Sequence, residues 1–387
     1  MIIWFCQPAL IERKVENRQI VTELSECGSS KDVRDATLIP NLSDSQCRRV
    51  VKTLRRLIMF VPVVDSNQNP LMPTTPSRAK KWIKSGKATP FWKKGVFCVR
   101  LNQEPSARNM QDIAVGVDPG SKEEGFSVKS KAHTYLNIQA QAITWVKKAV
   151  KSRSILRRNR RQRKTPYRKN RQNRARGGIP PSTKARWEWK LRILNWLRKM
   201  FPITIITVED IKAWSKKNQR KWNSSFSPLE VGKKWFYQEV KKLGKLIRVK
   251  GYQTAEKRKK CSLKKISNKL STSFYSHCVD SFVLALGAVG GKRKPDNSQV
   301  LRIVPLRLRK RSLHDQLFKK GGIRREYKRP FFKKGSLVKH VKLGLAYVGG
   351  GTEEKFSLQS LETGKRLTQN AKPGDCKFLT YLSWRFC

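Results

Sequence analysis

The sequence predicts an α/β protein built on a mixed sheet with flanking helices, and three stretches carry that reading. Ile113-Ala-Val-Gly-Val-Asp118 is a short apolar run closed by one carboxylate, followed by a glycine-punctuated turn and a returning strand to Val128. Ile203-Thr-Ile-Ile-Thr-Val-Glu209-Asp210 is a buried-strand pattern closed by two acids. Ser276-His277-Cys-Val-Asp280-Ser-Phe-Val-Leu-Ala-Leu286 has the apolar content of a helix, with His277 and Asp280 three residues apart and so facing the same way. An ionised carboxylate closing an apolar strand is costly unless a cation or hydrogen bonds compensate it. A metal ion is one such compensation; an Asp that opens a β-turn through its own side chain is the plainer alternative.

Taken in order, residues 1–58 hold a few apolar runs, three cysteines and a basic stretch at 48–57, and no function is read from them. They look like an extension upstream of Met59. From there Phe60-Val-Pro-Val-Val64 is a strand, 65–69 a turn, and Pro70-Leu-Met-Pro73 leads into a helix from Pro76. That helix has Ser77 near its start, turns Trp82 and Ile83 inward and stops at Gly86; Phe97-Cys-Val-Arg-Leu101 is the next strand.

After the Asp118 hairpin no acid occurs between Glu124 and Glu188. Residues 147–164 are helix-compatible, with Pro166 as breaker. Arg153, Arg157, Arg160 and Lys164 fall at spacings of three or four, and Arg158 and Arg161 sit beside them. One helical face therefore carries a row of cations suited to phosphates, since Arg presents a planar, permanently charged fork. The tail 167–178, with Arg168 and Arg171, reads as an RNA-contacting segment that orders on binding.

Residues 180–200 form a helix with Trp187, Leu191, Leu194 and Leu197 in the core, ended by Pro202. Ser227-Pro-Leu-Glu230 is a capping box, predicting a helix to about Leu243 in which Trp235, Phe236 and Val240 pack; a strand follows at 246–250. From Lys334 the text becomes strands and turns, which predicts a small antiparallel barrel. There Arg366, Gln369, Asn370 and Lys372 are the side chains of a type that reads base edges.

The formal net charge is +59, from 86 Lys and Arg against 27 Asp and Glu. Such a chain repels itself unless a polyanion shares the assembly, which makes nucleic acid the first partner to consider. Six to ten phosphate contacts already give roughly a thousand-fold salt sensitivity, and the excess here suits a large bound RNA. There is no run of eighteen apolar residues and no clear secretory signal, which argues against a membrane protein. The eight cysteines show no Cys-x-x-Cys pair and do not cluster with the four histidines, so reduced intracellular thiols are the simple reading.

Asp118-Pro-Gly-Ser after its strand, Glu209 closing the second strand and His277-x-x-Asp280 on the helix resemble, in order, the three segments of the RuvC/RNase H-type nucleases. Asp210 is the alternative to Glu209. Pro70-Leu-Met-Pro73, the basic helix after it and the strand ending at Leu101 resemble the PLMP module of the IscB and IsrB proteins, transposon-associated RNA-guided nucleases. The resemblance implies an RNase H-like RuvC domain with an arginine-rich bridge helix, a small N-terminal αβ PLMP module and a C-terminal β-barrel-like domain. The expected divisions are 1–58 extension, 59–108 PLMP module, 109–146 first RuvC segment, 147–178 bridge and basic tail, 179–260 second segment with linker, 261–310 third segment and 311–387 target-adjacent-motif domain.

Only about seventy residues separate Glu209 from Asp280, and no histidine precedes His277 in that interval. The HNH nuclease that IscB proteins insert there is therefore missing, which points to the IsrB branch and to nicking of one strand. The implied ligands and catalytic residues are Asp118, Glu209, His277 and Asp280, holding two Mg²⁺ ions about 4 Å apart that activate water and stabilise the leaving oxygen, with Mn²⁺ as a substitute. The implied partners are a guide (omega) RNA and duplex DNA bearing a short adjacent motif, around a monomeric protein. The compartment would be the cytoplasm and nucleoid, or an organelle's stroma or matrix if organelle-encoded. Two other readings are a guide-free RuvC-like nuclease on branched DNA and a non-enzymatic, RNA-binding transposon accessory.

Overall fold

A computed structural model describes residues 60–94, 96–105, 108–163, 178–210, 212, 228–268, 271–306, 331–361 and 363–386. Within them the chain forms three sheets. The first, β2-β1-β4-β3, is made by β1 (Val61–Val64), β2 (Pro70–Thr74), β3 (Ala88–Lys93) and β4 (Val96–Leu101). The helix α1 (Pro76–Lys84) lies between β2 and β3, and Gly86 at φ +71° takes the left-handed turn that ends it. Trp82 and Ile83 pack on this module's core, as their spacing predicts.

The central sheet has seven strands in the order β16-β10-β7-β6-β5-β8-β9. Its strands β5 (Ile113–Asp118), β6 (Glu123–Ser130) and β7 (Thr134–Gln141) form an antiparallel meander. On the other side of β5, β8 (Ile203–Asp210) and β9 (Lys245–Lys250) run parallel to it. The two strands that the sequence closed with acids are thus direct neighbours, with Val117 opposite Val208. Parallel neighbours need a crossover. Here it contains α2 (Trp145–Gln162) and α3 (Pro181–Arg198).

The main core joins this sheet to α3 through Trp187, Trp189, Ile193, Leu194, Trp196 and Leu197, all buried. On the opposite face α6 (Phe274–Val289) lies against β5 and β6 at unusually short range. A Cβ on Gly116 would stand 1.8 Å from the Ser281 carbonyl oxygen, and one on Gly125 would stand 2.2 Å from that of His277. Glycine is required at both positions because backbone meets backbone there.

Some elements depart from the sequence reading. Ser227 lies outside the described residues, and Pro228–Glu230 form only a short 3₁₀ turn. Helix α4 (Lys233–Lys241) starts after Gly232, whose φ of +83° interrupts the helix that the capping box predicted. Helix α5 (Gly251–Lys260) was not anticipated, since its run of lysines shows no apolar stripe.

The C-terminal strands are β11 (Ser336–His340), β12 (Gly344–Gly351), β13 (Phe356–Gln359), β14 (Arg366–Ala371) and β15 (Cys376–Tyr381). They form an antiparallel sheet in the order β14-β13-β12-β11-β15. Where a barrel was expected, no ladder joins β14 to β15 among the described residues, so the sheet is open. The last strand, β16 (Trp384–Phe386), leaves it and pairs with β10 (Val300–Pro305) at the edge of the central sheet. Buried Trp384 meets the Trp189 and Trp196 rings edge-on at 5.7 and 5.0 Å, fastening the chain's end to the main core.

Candidate active site and nucleic-acid surfaces

Asp118 and Glu209 end adjacent parallel strands, so the ladder itself brings their carboxyl groups together at the carboxyl edge of the sheet. The two side chains share a hydrogen bond. Burial and the neighbouring Asp118 charge push the Glu209 carboxyl up to about 8, so protonated Glu209 donates to the Asp118 carboxylate. Asp118 is itself raised by burial, with Asp280 adding to the shift and Lys265 opposing it. Asp210, the alternative ligand, is turned elsewhere: Lys233 Nζ and Tyr237 Oη donate to its Oδ1 at 3.2 and 2.9 Å.

Asp280 reaches the same edge from α6, set by the glycine contacts described above, and is buried. Its charge acts on both Asp118 and Glu209. His277, one turn earlier and half-buried, acts on Asp118 and on Glu123. The four residues singled out from sequence therefore converge.

What sequence reasoning missed is the basic pair on Asp280. Arg258 Nη1, from α5, donates to Asp280 Oδ1, and Lys265 Nζ, from the segment between α5 and α6, donates to Oδ2. A second unanticipated pair lies behind the Asp118 turn. Lys190 Nζ of α3 meets Glu124 Oε1 at 2.8 Å, both side chains fully buried, and burial pushes Glu124 up to about 7. Neither pair has a local sequence signal, because partners 22, 15 and 66 residues apart meet only after folding.

Carboxyl groups, once ionised, are hard oxygen donors of the kind that hold Mg²⁺ or Mn²⁺. In donor type the site fits such an ion. In arrangement it is held otherwise: among the described residues no three His, Cys, Asp or Glu side chains are grouped as metal ligands, and both oxygens of Asp280 face Arg258 and Lys265.

Helix α2 leaves β7 at the same sheet, with Trp145 and Val146 packed on the core and none of its residues fully buried. Arg153, Arg157, Arg158 and Arg161 are exposed along it and Arg160 is half-buried; Lys164, Arg168 and Arg171 lie outside the described residues. Arg366, Gln369 and Asn370 are exposed on edge strand β14, with exposed Lys372 just beyond it. No helix among the described residues is long and apolar enough to cross a membrane.

The RRXRR protein family matches residues 61–225, less than half of the chain. That range contains Arg157-Arg158-Asn159-Arg160-Arg161. No curated protein matches the sequence. Among solved structures, the chain is similar to RuvC of T. thermophilus in complex with a Holliday junction substrate, at 14% identity and a TM-score of 0.25, covering 45% of this chain and 90% of that one. It is also similar to a CRISPR-Cas12f ternary complex, at 15% identity and a TM-score of 0.27, covering 58% of this chain and 50% of that one.

Proposed function

We propose that the chain is an RNA-guided DNA nickase of the RuvC type, close to the IsrB proteins. The observation that carries this reading is the meeting of Asp118, Glu209 and Asp280 at one edge of the central sheet. In the run β7-β6-β5-β8-β9 the Asp118 strand is the middle one, as in the RNase H-like sheet that the sequence resembles.

The bound divalent ions would supply a nucleophile at neutral pH and charge stabilisation for the leaving 3′ oxygen. Asp118, Glu209 and Asp280 would hold them. Ion binding there would compete with the proton that Glu209 shares with Asp118, so occupancy would tighten as the pH rises. His277, whose charge acts on Asp118, would accept a proton from the attacking water. The α2 arginines would grip the guide RNA through its phosphates, and the β14 edge would face the duplex that bears the adjacent motif.

The test is Mg²⁺-dependent nicking of a supercoiled plasmid by the chain purified with its RNA, before and after the guide portion is replaced. Nicking that follows the new guide supports the proposal. Asp118→Ala should lower the rate by at least about a thousand-fold, the equivalent of about 4 kcal/mol, with RNA binding retained. Nicking that ignores the guide favours a branched-DNA nuclease, and RNA binding without cleavage favours an accessory protein.

A further inference from the structure

The proposed metal ligands are a cluster of anions that already has cations of its own. Arg258 donates to one oxygen of Asp280 and Lys265 to the other, so both oxygens already face a cation, and a metal ion approaching Asp280 meets like charge while both are in place. The Lys265 ammonium feels the charges of Asp118 and Glu209 as well as that of Asp280, so it faces all three acids. The two bases differ in how they are held. Arg258 projects from a helix and its side chain is 21% exposed; Lys265 lies outside regular structure and is 36% exposed. A lysine is a compact, strongly hydrated charge on a flexible stem, and water is within its reach when it lets go.

We infer that Lys265, with Arg258, is a built-in substitute for the divalent cation, which holds Asp280 in the metal-free protein and is displaced from it when the ion binds. The inference rests on the proposed metal role of the three acids. It gives the site two states: a closed one in which the protein supplies the counter-charge, and an open one in which Asp280 has exchanged an ammonium for the metal. Ion binding then competes with an internal ion pair, and apparent affinity is reduced by the fraction of molecules in the closed state.

The experiment is calorimetric titration of Mn²⁺ into the full chain and its Lys265→Gln, Lys264→Gln and Asp118→Ala variants, with amine acetylation of Lys265 followed by mass spectrometry in parallel. Lys265→Gln should bind Mn²⁺ at least about ten-fold more tightly than wild type, a change worth about 1.4 kcal/mol. Lys264→Gln removes the same charge one residue away and should change affinity less than about two-fold, since a solvated charge outside the cluster is screened. Acetylation of Lys265 should rise on adding Mn²⁺ to wild type and stay unchanged in Asp118→Ala.

Equal affinities for wild type and Lys265→Gln, with Asp118-dependent binding intact, would overturn this inference and leave the metal site standing. Equal tightening by Lys264→Gln would also overturn it, since bulk charge would then be the cause. Binding that does not depend on Asp118, or no binding at all, would remove the metal site and this inference together.

Discussion

Helices α2 and α6 carry the two halves of the proposed activity and are built on opposite principles. None of the residues of α2 is fully buried, and it is held at its base by Trp145 and Val146. Helix α6 is buried from Phe274 to Ala285 save for Tyr275 and His277, and its backbone touches two strands through Gly116 and Gly125. A residue that grips a flexible polyanion needs only to be charged and exposed, so α2 tolerates imprecise placement. A residue that shares an ion with two others must be placed to within a fraction of an ångström, and α6 obtains that from contacts that leave no slack.

The sharpest way to break the comparison is to put a methyl group under α6. In Gly116→Ala the new Cβ would stand 1.8 Å from the Ser281 carbonyl oxygen and 2.8 Å from the Ala285 amide nitrogen, both backbone atoms that cannot swing aside. We expect a loss of more than about 4 kcal/mol in urea unfolding, or no folded protein. A loss below about 1 kcal/mol would show that α6 has room to shift.

The buried Lys190–Glu124 pair comes next. Lys190→Met leaves a carboxylate without its partner under the Asp118 turn and should cost about 3–5 kcal/mol by the same measurement.

The same pair sets a pH dependence. Folded Glu124 keeps its proton up to about 7, whereas the unfolded chain loses it near 4.5. The folded state therefore binds more protons in that window, and stability falls as the pH rises from 4.5 to about 7 and then levels. The fall should be about 3 kcal/mol, and Glu124→Gln should flatten it.

Smallest in stability is the change on α2. Replacing Arg157, Arg158, Arg160 and Arg161 with Ala should move stability by no more than about 0.5 kcal/mol per site. The effect should appear instead in RNA affinity. The slope of log affinity against log salt should drop by about 3 for a single strand, at about 0.7 for each phosphate no longer neutralised. A large fall in stability would mean that the arginines are structural.

Much of this was legible along the chain. The strands ending at Asp118 and Glu209, the arginine row and the His277-x-x-Asp280 helix are local patterns, and local patterns survive without knowledge of neighbours. Gly232 shows the limit. Nothing in Ser227-Pro-Leu-Glu230 announces that the backbone turns left-handed two residues later and delays the helix. The barrel expected after Lys334 failed for a similar reason: strand patterns specify faces, whereas closure depends on which edges meet.

By itself the sequence determined the inventory: a polycation, two acid-tipped strands, an exposed arginine helix and an apolar helix with one imidazole and one carboxylate on one side. Composition and period fix these because they act between residues a few positions apart. The tertiary structure decided that Glu209 rather than Asp210 faces Asp118, that two glycines set the height of α6, and that Arg258 and Lys265 pair with Asp280. Those outcomes turn on which distant groups share a buried volume, where charge without a partner is costly, and that is settled only when the sheet and its helices close over one another.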